Sequence, residues 1–277
     1  MALEARLASG SRQTGVDLNR LRRRAVFEQI LVRLDDAQRG RWVLKGGMAL
    51  EIRWRDRARA TRDLDLTLRD RASDSEELRA MLAGTLERDP QGDWFQFAVG
   101  SARVLTADTA GRPGWRFPVE ASLAGRQFAQ VTIDVVVRAE EIGGTERIPL
   151  PGVLAFAGLP ATSVEVVDRN QHFAEKLHAL TQTYGDRPNT RTRDLVDLLM
   201  LVEDGLQATS DLRARVRHVF AVRDAHALPT DLPDPPPLWA ASYSTMATEL
   251  DVKAKTLDDA MKSLRAFWAL ARTTEET

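Results

Sequence analysis

The sequence predicts an α+β fold, in which a mixed β-sheet core with flanking helices precedes an α-helical C-terminal half. Three observations predict it. β-Branched and alternating stretches crowd the chain before residue 168. Apolar stripes of helical period dominate after it. The earliest strand-like stretches are separated by a turn and a helical pattern, as an α/β core requires. The expected division is 1–168 as the α/β core with a basic N-terminal helix, and 169–277 as a helical domain.

Taken in order, residues 17–38 read as an amphipathic helix, with Leu18, Leu21, Val26, Ile30 and Leu34 on one side and Arg22, Arg23 and Arg24 elsewhere. Trp42–Leu44 reads as a short buried strand, Gly46 and Gly47 break it, and Met48–Trp54 is helical. Asp63–Leu68 alternates polar and apolar positions, which is strand periodicity. Ser73 with Glu76 forms a capping-box pattern that opens a helix to about Glu87. Trp94–Leu105, Trp115–Leu123 and Gln130–Val137 read as antiparallel neighbours, with turns at Gly111–Gly114 and Gly125. Ser163–Val167 is a further short strand. Helical patterns then run over 171–184, 191–204, 208–223, 239–249 and 256–272, and LPTDLPDPPP (228–237) is a proline-rich linker that no helix can cross.

Composition narrows the function classes. The 277 residues are 43% hydrophobic, enough for a buried core. Cysteine is absent, which excludes disulfides, thiolate metal sites and a cysteine nucleophile and fits a reducing cytosol. MALEARLASG lacks a signal-peptide core, and no apolar run reaches membrane-spanning length, so the expected location is cytoplasmic with no membrane partner. The formal net charge of -1 hides an asymmetry: residues 1–62 hold 15 Lys+Arg against 7 Asp+Glu, about +8, leaving about -9 for the rest. Such a split fits a polyanionic partner at the N-terminal part, as it fits solvated basic helices. There is no Walker loop, no nucleophile elbow, and no zinc-protease spacing among His172, His178, His218 and His226. His178 falls opposite the apolar stripe of its helix and reads as surface.

The chemistry concentrates in KGGMALEIRWRDRARATRDLDL, residues 45–66. Asp63 and Asp65 lie two apart on a strand, so both project from one face with Cα atoms roughly 6.6–6.8 Å apart. Left alone at about 4 Å, two such charges repel by several kcal/mol at an effective dielectric near 20. A Mg²⁺ ion reverses that sign and takes carboxylates together with substrate phosphates. Asp134 stands alone in the apolar run VTIDVVV and is costly there unless bonded or metal-bound. If its strand neighbours Asp63–Leu68, three carboxylates share one site. Gly46 and Gly47 before a helix start let backbone approach a phosphate. The parts together describe a nucleotide-phosphate site with Asp63, Asp65 and Asp134 as candidate metal ligands.

These motifs resemble the minimal nucleotidyltransferases of the polymerase-β-like superfamily, and most closely the AbiEii/MenT-type toxins of bacterial toxin–antitoxin systems. The residues that carry the resemblance are LKGGMAL (44–50), RATRDLDL (59–66), VTIDVVV (131–137), EKLHAL (175–180) and TRDLVDLL (192–199). The resemblance implies a nucleotidyltransferase-like sheet, Mg²⁺ or Mn²⁺, a nucleoside triphosphate donor, and a cognate antitoxin. It also implies transfer of nucleotides to the 3′ end of tRNA, blocking translation. Catalytic residues would be Asp63, Asp65, Lys176 and Asp194, with Lys176 aimed at the triphosphate. Asp134 would be a metal ligand or a base, and Asp194 is preferred to Asp197. Met48 stands where the superfamily usually has serine, and residues 48–62 make a long spacer, so the phosphate grip shifts to backbone N–H groups and to Lys45, Arg59 or Arg62. Arg20, Arg22, Arg23, Arg24, Arg53 and Arg55 are expected to hold acceptor phosphates. Two other functions compete: nucleotidylylation of a protein hydroxyl, and a non-catalytic nucleotide-binding module.

Overall fold

The computed structural model describes residues 2–70, 74–105, 114–183, 185 and 188–274. Ser73, the 111–113 part of one expected turn, and Tyr184 of the expected stripe lie outside the described residues. The chain divides into two compact units, one drawn from the described residues of 1–107, 112–139 and 146–166, the other from those of 140–145 and 167–277.

The first unit is a sheet with helices. Its elements are α1 (Ala2–Thr14), α2 (Leu18–Ala37), β1 (Trp42–Lys45), α3 (Gly46–Trp54), β2 (Asp63–Leu68), α4 (Ser75–Leu86), β3 (Phe95–Val99), β4 (Arg103–Val104), β5 (Gly114–Leu123), β6 (Arg126–Val137), β7 (Thr145–Pro149) and β8 (Ser163–Val167). The strand order is β3-β5-β6-β2-β1-β8-β7, with β4 beside β5. β2 runs parallel to β6 and β1 parallel to β8, while β1/β2, β3/β5 and β5/β6 are antiparallel, so the sheet is mixed. β2 sits in the middle because Leu64, Leu66 and Leu68 are all fully buried. They pack with Ile30 and Leu34 of α2, Met48 of α3 and Leu82 of α4 in one core. Asp17 caps α2 by accepting from the Arg20 N–H, and Asp74 caps α4 by accepting from Glu76 and Glu77.

Two elements are additions to the sequence reading: α1, and β7, whose residues are mostly exposed. β6 also differs from the expected wholly buried run. Val131, Ile133 and Val135 face the core, while Thr132 and Asp134 are half-buried on the opposite face.

The second unit carries α5 (Arg169–Thr181), α6 (Thr192–Glu203), α7 (Ser210–Arg223), α8 (Trp239–Glu249) and α9 (Leu257–Thr273). Phe173, Leu177, Leu198, Val216, Tyr243, Leu264 and Trp268 are buried in it. Asp168, Thr209 and Thr256 cap α5, α7 and α9 with side-chain oxygens. The proline-rich stretch 228–237 forms no helix, and it is held in place: Trp268 Nε1 donates to the Pro229 carbonyl at 3.1 Å and Arg265 to that of Leu232. His178 is not on the surface as its position opposite the stripe implied. It is buried, 4.8 Å from the Phe220 ring and 4.5 Å from the His226 ring, because α5 is covered on more than one side. No helix among the described residues is long and apolar enough to cross a membrane.

Candidate active site

Strand periodicity sets the first feature. With Leu64 and Leu66 in the core, Asp63 and Asp65 must emerge on the other face of β2. The parallel register pairs Asp65 with Asp134 and Asp63 with Thr132. Neighbouring strands lie about 4.8 Å apart, so Asp65 and Asp134 stand side by side with Asp63 one pleat away. The three acids expected from the sequence therefore share one face of adjoining strands.

One cation beside these acids is one that sequence reasoning missed. Antiparallel pairing sets Arg116 of β5 opposite Asp134. Its guanidinium grips both Asp134 oxygens, Nε to Oδ1 at 2.8 Å and Nη2 to Oδ2 at 2.6 Å, and lies 3.9 Å from Asp63 Oδ2. The hydrogen bond to Asp134 is the largest influence raising the Arg116 pKa, and the charges of Asp134, Asp63 and Asp65 add to it against a desolvation loss. Among the described residues no three His, Cys, Asp or Glu side chains close into a metal cage. Both Asp134 oxygens are engaged by Arg116. The donor chemistry still fits a hard divalent cation: all oxygen, all anionic, on one face, with no sulfur or imidazole.

On the other side of β2, Lys45 pairs with Asp65. Gly46 follows at φ +64, and a Cβ there would overlap the Asp65 carboxylate. Gly47 is also close to its neighbours: a Cβ would meet Thr61 Oγ1 at 2.8 Å and Arg59 Nη1 at 3.4 Å. The two glycines thus let the start of α3 lie directly on the acid pair. Lys45, at the N-cap of α3, makes no side-chain cap bond.

The connection from α3 to β2 is fixed by a buried acid, Glu51. It accepts from Arg20 Nε at 2.7 Å, Arg24 Nε at 2.6 Å and the Thr61 N–H at 3.3 Å. Arg20 also donates to the Ala58 carbonyl, and Arg24 to the Arg55 carbonyl and Asp56. Thr61 Oγ1 donates to the Asp63 carbonyl. Four of the arginines expected to hold acceptor phosphates are engaged within the protein. Arg20 and Arg24 are structural, Arg22 is bonded to Glu4, and Arg53 pairs with Glu146 at 2.9 Å. Arg62 is exposed and lies beside Asp63, whereas Arg59 is the arginine near Gly47.

In the second unit, α5 and α6 bring Lys176, Asp194 and Asp197 together. Lys176 Nζ donates to Asp194 Oδ1 at 2.9 Å and pairs with Asp197 Oδ2 at 2.6 Å. All three are buried, Asp197 most deeply, and Arg191 lies 3.7 Å from Asp194. The sequence argument for Asp194 over Asp197 separated two residues that act on the same ammonium.

A family model described as "Nucleotidyl transferase AbiEii toxin, Type IV TA system" matches residues 29–271. No curated protein matches the chain. The solved structure of MenT4, a nucleotidyltransferase toxin from Mycobacterium tuberculosis, is similar at TM-score 0.59 and 18% identity, over 98% of this chain and 90% of that one. JHP933 from Helicobacter pylori is similar at TM-score 0.42 and 17% identity, over 87% of this chain and 90% of that one.

Proposed function

The chain belongs to the AbiEii family of nucleotidyl transferase toxins, and from that premise we propose that it transfers a nucleotide from a nucleoside triphosphate to the 3′ hydroxyl of tRNA, so arresting translation. The observation that carries the reading is the placement of Asp63, Asp65 and Asp134 on one face beneath the Gly46 turn. When bound there, Mg²⁺ or Mn²⁺ supplies charge neutralisation and lowers the pKa of an attacking hydroxyl. The α3 N-terminus, freed of side chains at Gly46 and Gly47, takes the triphosphate through backbone N–H groups, with Lys45 beside it. The acceptor oxygen attacks the α-phosphorus, its proton passes to the carboxylate face, and the bond to the β-phosphate oxygen breaks to release pyrophosphate. The family resemblance gives Lys176 a catalytic role, and Asp194 and Asp197 fix its ammonium. The antitoxin implied by the family would act on this activity.

The test incubates purified protein with Mg²⁺, total tRNA and each α-labelled NTP in turn. Label in RNA with at least one NTP supports the proposal. Label in a ribonuclease-resistant protein band would replace the acceptor with a protein hydroxyl, and no transfer with any NTP would refute the reading.

A further inference from the structure

The sheet ends at β3, which leads the strand order and pairs with β5 on one side. One step past the Val99–Val119 pair, the Gly100 N–H donates to the Pro118 carbonyl at 2.8 Å. Backbone groups alternate in direction along a strand. Gln96 and Ala98 therefore turn theirs toward β5 as Gly100 does, while Phe95, Phe97 and Val99 turn theirs outward. Phe95 is closed off: its N–H donates to Asp93 Oδ1 at 2.8 Å, and its carbonyl accepts from Arg33 at 3.2 Å. Beyond Gly100 an extra residue bends the edge, since Val99 to Arg103 spans four steps against three from Val119 to Arg116. Between these two stops, the outward N–H and C=O groups of Phe97 and Val99 meet no hydrogen-bonding partner among the described residues.

We propose that this edge pairs with the same edge of a second copy of the chain, antiparallel about a two-fold axis at Ala98. The free groups set the centre. About Ala98, Phe97 stands opposite Val99 of the other copy and Val99 opposite Phe97, so every outward group of both residues is bonded. About Phe97, the blocked Phe95 would face Val99; about Val99, Phe97 would face Ser101 in the bend. Composition supports the pairing. Residues 94–102, WFQFAVGSA, carry no charge, whereas open edges are normally guarded by lysine or proline. Trp94 and Val104, 78% and 75% exposed, bracket this stretch. The two-fold sets Trp94 opposite Ala102 of the other copy, two residues from its Val104, so the pairing shields both. Trp94 is preset for contact: it stands at φ +67, and Asp89 accepts from its N–H and from that of Asp93. The occupant is a second copy because the edge is its own complement. The same two residues supply donors and acceptors, and Ala98, small and exposed, meets only itself at the axis.

Sedimentation velocity of the full chain over a concentration series reads the mass. Association should carry it from 30.9 kDa toward twice that value. Ala98→Lys sets two ammonium groups opposite each other and should raise the dissociation constant about tenfold or more. Leu270→Lys adds the same charge at an exposed site of the helical unit and should leave the constant unchanged. Circular dichroism and melting midpoints establish that each variant folds. The chain has no cysteine, so Ala98→Cys reports the axis directly. Its two Cα atoms would lie about 4.5 Å apart across the pair, within disulfide reach, and mild oxidation should join the copies. Gln96→Cys, whose two copies are offset by several residues, should stay unjoined. A mass of 30.9 kDa at every concentration overturns the proposal and leaves the edge to a strand of another protein. Association undisturbed by Ala98→Lys overturns it as well, as does Gln96→Cys joining as readily as Ala98→Cys.

Discussion

Replacing Arg116 with glutamine removes the guanidinium bonded to Asp134 while keeping an amide. Asp65 and Asp134 are in register on adjoining strands. At about 5 Å and an effective dielectric of about 20, their mutual repulsion is about 3 kcal/mol. Arg116 is 42% exposed and Asp134 13%, so solvent screens part of this. A discounted cost of about 1–2 kcal/mol follows. Urea unfolding in EDTA should show that loss for Arg116→Gln. The same experiment in saturating MgCl₂ should recover most of it, because a bound cation replaces the missing guanidinium. Magnesium should therefore stabilise the variant more than wild type, in which Arg116 competes for the Asp134 oxygens. An equal loss in EDTA and in MgCl₂ would refute the reasoning, since the arginine would then be neutralising nothing that a cation can reach.

Other residues give independent checks. Gly46→Ala should cost about 1–2 kcal/mol for the left-handed backbone, and it should reduce transfer further than that loss explains, because its Cβ displaces the Asp65 carboxylate; melting and NTP titration separate the effects. Asp197→Asn should destabilise more than Asp194→Asn, toward the lower end of the about 3–5 kcal/mol for breaking a buried pair, since Lys176 keeps one partner; denaturant midpoints decide. Burial raises the Glu28 pKa from 4.5 to about 7, against hydrogen bonds from Val153 and Gly152 and the charge of Arg24. The folded state holds that proton more tightly, so its contribution is full below the unfolded pKa and fades as pH rises toward 7, by up to about 3 kcal/mol. Glu28→Gln should abolish that fade, measured as unfolding free energy between pH 5 and about 8.

The strands bearing the acids were legible because their periodicity is local. β2 and β8 begin and end where alternation of leucine or valine with polar residues begins and ends. The diglycine turn was legible for the same reason, since only glycine tolerates both the backbone angle and the contact with Asp65. Arg116 was not legible. In GWRFPVEASL it reads as one more solvated strand residue, and only the β5/β6 register sets it against Asp134. Charge counting is blind to partners: Glu51, 27 residues beyond Arg24, binds both Arg20 and Arg24. His178 misled because a single apolar stripe describes a helix buried on one side, and α5 is covered by aromatic neighbours on another. β7 was missed because an exposed strand carries almost no burial signal.

The central claim is that the acids of β2 and β6 carry nucleotidyl transfer. Initial rates of label transfer from NTP to RNA by wild type, Asp63→Asn, Asp65→Asn and Asp134→Asn, at matched folded fraction, test it most directly. The account predicts that each variant loses more than the roughly 10–100-fold typical of outer partners of a metal site. A wild-type rate from Asp65→Asn would contradict it.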